Sequence, residues 1–398
     1  MYSYILKGRI IDGISNIPIE NGIVAIEGER IVYVGEQTGF SVPEGVTTYE
    51  ADTILPGFID CHTHIVGLAN AGNYAEGKLF GDLLLGAAYQ AGQLLDAGFT
   101  GIRDMSEQGF YLARAQKRGV LRGPKVVPGG RCLSITGGHG DMWPYMSKKV
   151  NNEESPIGIL CDGVDECVMA VREQFRKGAQ FIKILATGGV SSPTDRVDDV
   201  QFSPEELRAI VEEAKRHHSY VTAHCTGNEG AYQAILAGVE CIEHGVMLTQ
   251  REIDLMKERN IPLVTTLSVS LSCAKLTNKP DWFIEKAKMC AEANKKTIEM
   301  ARKAGIKIAL GTDFTRDFLK NGREFEAMVE AGMTPMEAIQ AGTINAAYVM
   351  HSDAVTGSLE KGKFADLVLV NGNPLQDIHC IADAKNITGV FLEGKKVK

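Results

Sequence analysis

The sequence lacks the cysteine spacing that marks a structural metal cluster or a disulfide framework. It has nine cysteines, an odd number, and none of them forms a Cys-x-x-Cys pair. Paired spacing is what zinc clusters and disulfide-rich domains require. We therefore expect reduced thiols and a cytoplasmic location.

Long apolar runs and targeting features are also missing. No stretch of about 18 consecutive apolar residues suggests a membrane span, and Met1–Lys7 shows no basic segment followed by an apolar one. We expect neither a signal peptide nor contact with a membrane.

An excess of positive charge is absent as well. Lys and Arg total 42 against 50 Asp and Glu, which gives a net charge of −8. This balance argues against a polyanion binder, so nucleic acid is not an expected partner. With 398 residues, 44% of them hydrophobic, the chain is long enough for a large core.

The two ends of the chain show no helical periodicity. Residues 1–53 contain short apolar segments at Ile23–Ile26 and Arg30–Val34, separated by a turn. After residue 350 the pattern returns to short strands, and Asp366–Val370 is one example. We predict that 1–53 and 351–398 together form one small β-sandwich domain.

Between residues 54 and 350, strand-like and helix-like segments alternate. Such alternation predicts parallel strands with helical crossovers, and eight units over roughly 250–300 residues favour a (β/α)8 barrel. The predicted strands are Ile54–His64, Thr100–Met105, Val126–Cys132, Phe181–Thr187, Tyr220–Cys225, Cys241–His244, Pro262–Leu267 and Lys307–Asp313. The predicted helices are Asp82–Ala97, Gly109–Arg118, Val164–Lys177, Pro204–His217, Glu229–Leu236, Gln250–Glu258 and Asp281–Lys303.

Two histidines stand at the end of the first predicted barrel strand. His62 and His64 are two residues apart, so on a strand their side chains point to the same face. Two adjacent imidazoles form half of a metal site. An isolated His-x-His is more often an ordinary polar pair, so the interpretation depends on further ligands elsewhere in the chain.

Further candidate ligands occur at the ends of other predicted strands. Barrel enzymes collect their functional side chains at the carboxyl ends of the strands. Lys183 lies between two isoleucines, where an unpaired lysine is unusual, although it could also be an edge residue reaching solvent. His224, His244 and Asp313 complete the set. Any one of them could be structural, but all six at strand ends indicate a metal centre.

These residues lie in motifs that resemble the amidohydrolase superfamily, in its imidazolonepropionase-like and prolidase-like (Xaa-Pro or Xaa-Arg dipeptidase) branch. The resemblance extends over nearly the whole chain. The matching segments are Pro56–His64, Lys183 with Thr187–Gly189, Ala223–His224, Glu243–Gly245, Gly311–Asp313 and Gly357–Val368.

The resemblance implies a centre with two divalent metal ions, of which zinc suits the ligands best. His62 and His64 would hold one ion, and His224 and His244 the other. Lys183, carboxylated to a carbamate, would bridge them. Asp313 would contact the first metal and shuttle a proton from the bridging hydroxide to the leaving nitrogen.

Two further residues are candidates for contact with the substrate. His139 lies in a glycine-rich loop, and the resemblance implies that it polarises the substrate carbonyl or holds the oxyanion. Arg196 could bind a substrate carboxylate, but a solvated pair with Asp195, Asp198 or Asp199 is an equal alternative. Arg103 and Asp104 are predicted to form an ion pair at the barrel rim.

Two positions depart from the pattern of the family. Thr226 stands where many prolidase-like members have an aromatic residue, which weakens the case for a plain dipeptide substrate. Gly227 stands where the deaminase branch has a glutamate, so deamination is disfavoured.

The sequence therefore predicts a metal-dependent hydrolase that cleaves an amide bond in a small molecule such as a dipeptide or an N-acyl amino acid. A cyclic amide or an ester or lactone is the alternative substrate, and a non-catalytic relative is a third possibility. Relatives in this superfamily commonly self-associate, so a homo-oligomer is expected.

Overall fold

The computed structural model describes residues 2–67, 80–314 and 317–398. Residues from the two ends of the chain meet in one seven-stranded sheet, in the order β17-β16-β15-β4-β1-β2-β3. Its strands are β1 (Tyr4–Ile10), β2 (Ile19–Glu27), β3 (Arg30–Glu36), β4 (Thr47–Pro56), β15 (Leu367–Val370), β16 (Ile387–Leu392) and β17 (Lys395–Lys396). The predicted sandwich is, in its hydrogen bonding, one continuous sheet.

Parallel strands and helices make up the rest of the chain. A three-stranded sheet contains β5 (Phe58–Thr63), β6 (Phe99–Asp104) and β7 (Lys125–Pro128). A seven-stranded sheet runs in the order β14-β13-β12-β11-β10-β8-β9. Its strands are β8 (Cys132–Ser134), β9 (Gly158–Leu160), β10 (Ile182–Leu185), β11 (Val221–Cys225), β12 (Cys241–His244), β13 (Leu263–Thr265) and β14 (Ile308–Leu310).

Helices connect these strands and pack on the sheets. They are α1 (Phe80–Asp96), α2 (Glu107–Lys117), α3 (Lys148–Glu154), α4 (Gly163–Lys177), α5 (Pro204–Arg216), α6 (Asn228–Ala237), α7 (Gln250–Arg259), α8 (Leu267–Ala274), α9 (Asp281–Ala304), α10 (Arg323–Glu330), α11 (Pro335–Ala341), α12 (Ile344–Val349) and α13 (His379–Ala382). Short 3-10 turns lie at Phe318–Lys320 and Ala384–Asn386. No helix in the described parts of the chain is long and apolar enough to cross a membrane.

The predicted strand Ile54–His64 is wrong in one respect, because it is two strands. Residues up to Pro56 continue the terminal sheet, where Pro56 pairs with Leu367. Phe58 starts β5, which pairs with β6. The break falls at Gly57, where a Cβ would lie 2.1 Å from Oγ1 of Thr100. Similarly, the predicted strand Val126–Cys132 is divided between β7 and β8.

The helix predictions are confirmed where capping chemistry is strong. Ser203 and Glu206 form a capping box at the start of α5, and Glu252 accepts hydrogen bonds from the backbone N–H and hydroxyl of Thr249 at α7. Gly178 and Gly238 end α4 and α6 with left-handed φ angles of 111° and 100°.

The end of β14 lies against the end of β5. The N–H of Asp313 donates to the carbonyl oxygen of His62 at 2.8 Å. The buried Asp60 carboxylate accepts from the N–H of His62 at 3.0 Å and from the N–H and hydroxyl of Thr312 at 3.1 and 2.7 Å. These bonds fix two of the predicted ligands relative to each other.

The two parallel sheets are not joined by strand pairing among the described residues, so a closed barrel is not seen in the hydrogen bonds between strands.

Candidate metal centre and active site

All six predicted metal ligands line one cavity of about 390 Å³. They lie on five strands or just after them, so residues up to 251 positions apart in the sequence meet in one place. The set comprises His62, His64, Lys183, His224, His244 and Asp313, and His139 lines the same cavity.

His62, His64 and Asp313 form the tightest group. Nε2 of His64 lies 3.2 Å from Oδ1 of Asp313, and Nε2 of His62 lies 3.5 Å from the same oxygen. One potential ligand atom from each residue lies within 4.8 Å of the other two. Two imidazole nitrogens and a carboxylate oxygen at this spacing suit a divalent transition metal.

His224 and His244 form a second group beside the first. Their ring centroids are 4.6 Å apart, and those of His62 and His244 are 4.7 Å apart. Burial lowers the pKa of His62, His224 and His244. The neutral imidazole that this favours is the form that binds metal.

Lys183 projects from β10 into the same cavity. The residue is 1% exposed, and its Nζ has no hydrogen-bond partner within the described residues. A buried ammonium without a partner is costly. Carboxylation of this amine would replace a cation with an oxygen ligand, so the orphaned Nζ fits the carbamate that the sequence motifs imply.

Each of the four candidate histidine ligands has one ring nitrogen held by a protein partner. Nδ1 of His64 donates to the Met105 carbonyl at 2.9 Å, and Nε2 of His224 donates to the Gly188 carbonyl at 3.0 Å. Nδ1 of His244 lies 2.7 Å from the hydroxyl of Thr266. Such contacts fix the ring orientation and leave the other nitrogen available to a metal.

The partner of His62 is Glu243, a residue of the motif Glu243–Gly245 for which the sequence predicts no role. Glu243 Oε2 accepts from Nδ1 of His62 at 2.8 Å. Its other oxygen accepts from Arg103 and from the Thr222 hydroxyl. Burial would raise the pKa of Glu243, but Arg103 and Lys183 hold it below its usual range.

The predicted pair of Arg103 with Asp104 is wrong. Successive side chains on a strand point to opposite faces, so the two residues of β6 face different surroundings. The Arg103 guanidinium pairs with Glu243 inside the protein. Asp104 instead accepts from the N–H of Ile65 at 2.7 Å and from the hydroxyl of Ser106.

Two of the candidate ligands have a strained backbone. His244 and Asp313 have φ angles of 65° and 56°, in the left-handed region that non-glycine residues seldom occupy. Strain of this kind concentrates at functional sites. Although burial acts to raise the pKa of Asp313, the neighbouring His62, His64 and Lys183 hold it well below its ordinary value. Asp313 is therefore an ionised carboxylate facing the cavity.

His139 reaches the cavity from the loop after β8. Its ring centroid lies 4.6 Å from that of His224. Burial lowers the pKa of His139 even though Asp195 acts to raise it. Gly189 allows the ring to lie there, because a Cβ at that position would be 2.2 Å from Cε1 of His139.

Arg196 is placed differently from the other candidates. Its side chain is 80% exposed and pairs with Asp198 at 3.3 Å. It is not among the described residues that line the cavity. The solvated pair, which the sequence left as the alternative, is therefore what the structure contains.

Apart from the candidate ligands, most of the described side chains that line the cavity are apolar. Its wall includes the side chains of Met142, Ile157, Leu185, Val190, Val246, Val269, Phe283, Ala287 and Cys290. Lys279 is exposed to solvent and also lines the cavity, with its Nζ 5.7 Å from the ring centroid of Phe283. Thr226 also lines the cavity, and its Oγ1 lies 3.1 Å from Nε2 of His224.

A parallel α/β fold with histidines, a lysine and an aspartate gathered at strand ends defines the class of metal-dependent hydrolases. Within that class, residues 53–397 match the model of the amidohydrolase family. The chain therefore belongs to this family, as the sequence motifs predict.

Individual relatives and solved structures agree with this family membership. The chain is 36% identical to a protein named ochratoxinase from Aspergillus niger, over 99% of this chain and 86% of the relative. It resembles the crystal structure of a prolidase complexed with N-methylphosphonate-L-proline, with a TM-score of 0.92, 32% identity and 99% of both chains covered. A Xaa-Pro dipeptidase with bound methionine gives a TM-score of 0.88 at 31% identity, again over 99% of both chains. The chain is thus a hydrolase acting on carbon–nitrogen bonds.

Proposed function

We propose that the protein hydrolyses an amide bond in a small substrate such as a dipeptide or an N-acyl amino acid. The observation that carries this proposal is the position of Lys183. Its buried amine, without a partner among the described residues, lies in one cavity with four histidines and an aspartate. A binuclear hydrolytic centre accounts for that combination.

The proposed centre holds two divalent ions, most simply zinc. His62, His64 and Asp313 would hold one, His224 and His244 the other, and carboxylated Lys183 would bridge them. The ions, when bound, would lower the pKa of a water molecule and polarise the substrate carbonyl.

The protein's own residues carry out the remaining steps. Asp313, ionised and facing the cavity, takes a proton from the attacking water and delivers it to the leaving nitrogen. His139 contacts the substrate at the reacting carbonyl and the oxyanion that forms from it. The apolar wall excludes water and accepts a hydrophobic side chain of the substrate.

A carboxylate on the substrate would be bound by Lys279 rather than by Arg196. Lys279 is the only lysine besides Lys183 among the described lining residues, and apolar side chains line the cavity beside it.

The similarity to a prolidase and to a Xaa-Pro dipeptidase supports an amide or peptide bond as the target. Thr226, in place of an aromatic residue, supports the alternative of a cyclic amide or an ester or lactone.

The proposal also includes the predicted domain organisation, oligomeric state and location. The two parallel sheets would form a (β/α)8 barrel over residues 54–350, and residues 1–53 and 351–398 would form the β domain. A homo-oligomer and a cytoplasmic location remain predictions from the sequence. A non-catalytic relative is disfavoured because the complete ligand set shares one cavity.

A hydrolysis screen tests the proposed function. Protein loaded with zinc in the presence of bicarbonate is assayed against dipeptides, N-acyl amino acids, cyclic amides and lactones. We expect cleavage of the first two classes, with a preference for substrates that carry a free carboxylate. Cleavage of only the cyclic compounds would favour the alternative, and no cleavage by metal-replete protein would contradict both.

A further inference from the structure

A second cavity, of about 320 Å³, lies at the end of the parallel strands opposite to the metal centre. Tyr220 directly precedes β11, Cys241 begins β12 and Pro262 directly precedes β13, so the cavity lies at the amino ends of these strands. His224 and His244 lie at the carboxyl ends of β11 and β12. None of the described residues lines both cavities, and the proposed hydrolysis uses no residue of this second one.

The lining of the second cavity is divided by polarity. The described lining residues that are exposed to solvent are all polar or charged, and we call them the rim: Lys215, Glu240, Arg259, Asn260 and His351. Most of the buried lining residues are apolar, and together with Tyr220 and Cys241 they form the floor: Ile235, Val239, Ile261, Pro262 and Val349. A charged rim above an apolar floor fits a ligand that has a charged head and an apolar body.

Tyr220 makes the floor a fixed surface. Its hydroxyl donates to the carbonyl oxygen of Val349 at 3.3 Å. Its ring stacks on Phe181, with 5.6 Å between the ring centroids, and the centroid of the His351 ring lies 4.5 Å away. Because these contacts already hold the aromatic ring, a ligand would not have to order the floor when it binds.

The two basic side chains of the rim have no carboxylate partner among the residues that the structure describes. Lys215, in the last turn of α5, makes no hydrogen bond or ion pair with them. Arg259, in the last turn of α7, donates from Nη1 to the Ile235 carbonyl at 2.7 Å, whereas its Nε and Nη2 make no hydrogen bond within residues 2–67, 80–314 and 317–398. A cation in a last helical turn also interacts favourably with the helix dipole, but that interaction leaves these donors free for a ligand.

The charge of the rim favours a single negative charge on the ligand. Glu240 is the only carboxylate among the described lining residues, and it lies 3.7 Å from Nε2 of His351. Lys215 and Arg259 outnumber it. A dianion such as phosphate would be repelled by Glu240 and has no apolar body to place on the floor. A monocarboxylate meets both conditions, because its oxygens accept from a lysine and a planar guanidinium while its body is removed from water.

We propose that the second cavity binds a small carboxylic acid as its monoanion, with the carboxylate on Lys215 and Arg259 and the apolar body on the floor. The cavity volume is near the lower limit of ligand sites, which occupy about 300–1,000 Å³, so the acid is a single small unit. A free amino acid with an apolar side chain shares this chemistry. Cleavage of an amide bond releases a carboxylate of this kind, but the site itself does not depend on the proposed function.

Isothermal titration calorimetry of the zinc-loaded protein with phenylacetate tests the site. We expect binding of phenylacetate, with a Kd that Lys215→Gln and Arg259→Gln each raise by about 10–100-fold, the value of a charge-assisted hydrogen bond. Lys257→Gln is the matched control on α7, because Lys257 is exposed and is not among the described lining residues, and it should leave the Kd unchanged. Lys215→Gln removes no contact with the described residues, so it should fold even if Arg259→Gln, which loses its bond to the end of α6, does not.

Further ligands identify the chemistry that the site recognises. Phenylethanol has the apolar body without the charge, and inorganic phosphate has the charge without the apolar body. Each should bind at least about 10-fold more weakly than phenylacetate. L-phenylalanine distinguishes the sources of the carboxylate, because tighter binding than phenylacetate indicates a free amino acid and weaker binding indicates an acid without an amine. Phenylacetate at the metal centre would give a separate binding component, which Lys279→Glu weakens and Lys215→Gln leaves unchanged.

The outcomes separate this site from the proposed function. No binding of phenylacetate, or an unchanged Kd in a folded Lys215→Gln, would overturn the site. Binding that only Lys279→Glu weakens would place the acid at the metal centre and overturn it as well, and so would equal affinity for phosphate or phenylethanol. Because binding is measured without turnover, protein that binds phenylacetate at the second cavity but hydrolyses no amide would retain the site and contradict the proposed function.

Discussion

Glu243 accepts a hydrogen bond from Nδ1 of His62 at 2.8 Å, and its second oxygen pairs with the buried Arg103. A cation in the interior is thereby connected to a candidate metal ligand through one carboxylate. The contact fixes the ring of His62 and increases the basicity of its free nitrogen.

Glu243→Gln should weaken metal binding by about 10–100-fold, because the amide orients His62 less strongly. It should also lower the free energy of unfolding by up to about 3–5 kcal/mol, since Arg103 loses its buried counter-charge. Metal competition with a chelator and thermal unfolding measure the two effects. Glu240→Gln is the control, because Glu240 is half exposed and lies 3.7 Å from His351.

Lys183→Ala should lose at least one of the two proposed ions, because the bridging oxygen ligands would disappear. The number of zinc ions bound per chain is measured by plasma emission spectroscopy after equilibration with zinc and bicarbonate. Lys177→Ala is the control and should retain the full metal content, because Lys177 pairs with Glu107 and is not among the described residues that line the cavity. Two ions per chain in Lys183→Ala would remove the bridging role.

Asp313→Asn should retain metal through the histidines but lower kcat by about 10²–10⁴-fold, because the amide cannot accept and pass on a proton. Steady-state kinetics beside metal analysis separate these effects. Asp317→Asn is the matched control, because Asp317 is half exposed and pairs with Lys320. A variant at position 313 with normal turnover would exclude this residue as the proton carrier.

Lys279→Glu should lower kcat/KM for substrates with a free carboxylate by about 10–100-fold, the value of a charge-assisted hydrogen bond. The same substrates with an amidated carboxylate should be little affected. Lys275→Glu reverses a charge nearby, at an exposed residue that is not among the described lining residues. Equal losses for the free acid and the amide would show that Lys279 does not bind the carboxylate.

Gly189→Ala should displace the His139 ring, because the new methyl group would lie 2.2 Å from Cε1. A displacement of about 1 Å in a catalytic group costs on the order of 10²-fold in rate, so kcat should fall while the metal content stays normal. Gly81→Ala places a methyl group in open space in α1 and should have no effect. Unchanged kcat in Gly189→Ala would argue against contact between His139 and the substrate.

The six residues that share the cavity could be predicted from the sequence because each has a local signal. His62 and His64 are two residues apart on a strand, and Lys183 interrupts an apolar run. His224, His244 and Asp313 each end a strand-like segment. The parallel architecture brings strand ends together without any need to know a particular contact.

The residues behind the ligands could not be found in this way. Arg103 and Glu243 are 140 positions apart in the sequence, whereas Asp104, the opposite charge nearest to Arg103 along the chain, points to the other face of the strand. The hydrogen bonds from Lys286 to the backbone carbonyls of Gly189 and Ser192 likewise depend on how α9 packs. The division of the strand at Gly57 reflects a close approach to Thr100 that only the tertiary structure contains.

The central claim is that hydrolysis requires two metal ions held by the residues at these strand ends. The most direct test is a titration of metal-free protein with zinc in bicarbonate buffer, in which amide hydrolysis is followed against equivalents of metal added. The account predicts that activity reaches its plateau at about two equivalents per chain. Full activity at one equivalent, or in the metal-free protein, would contradict it.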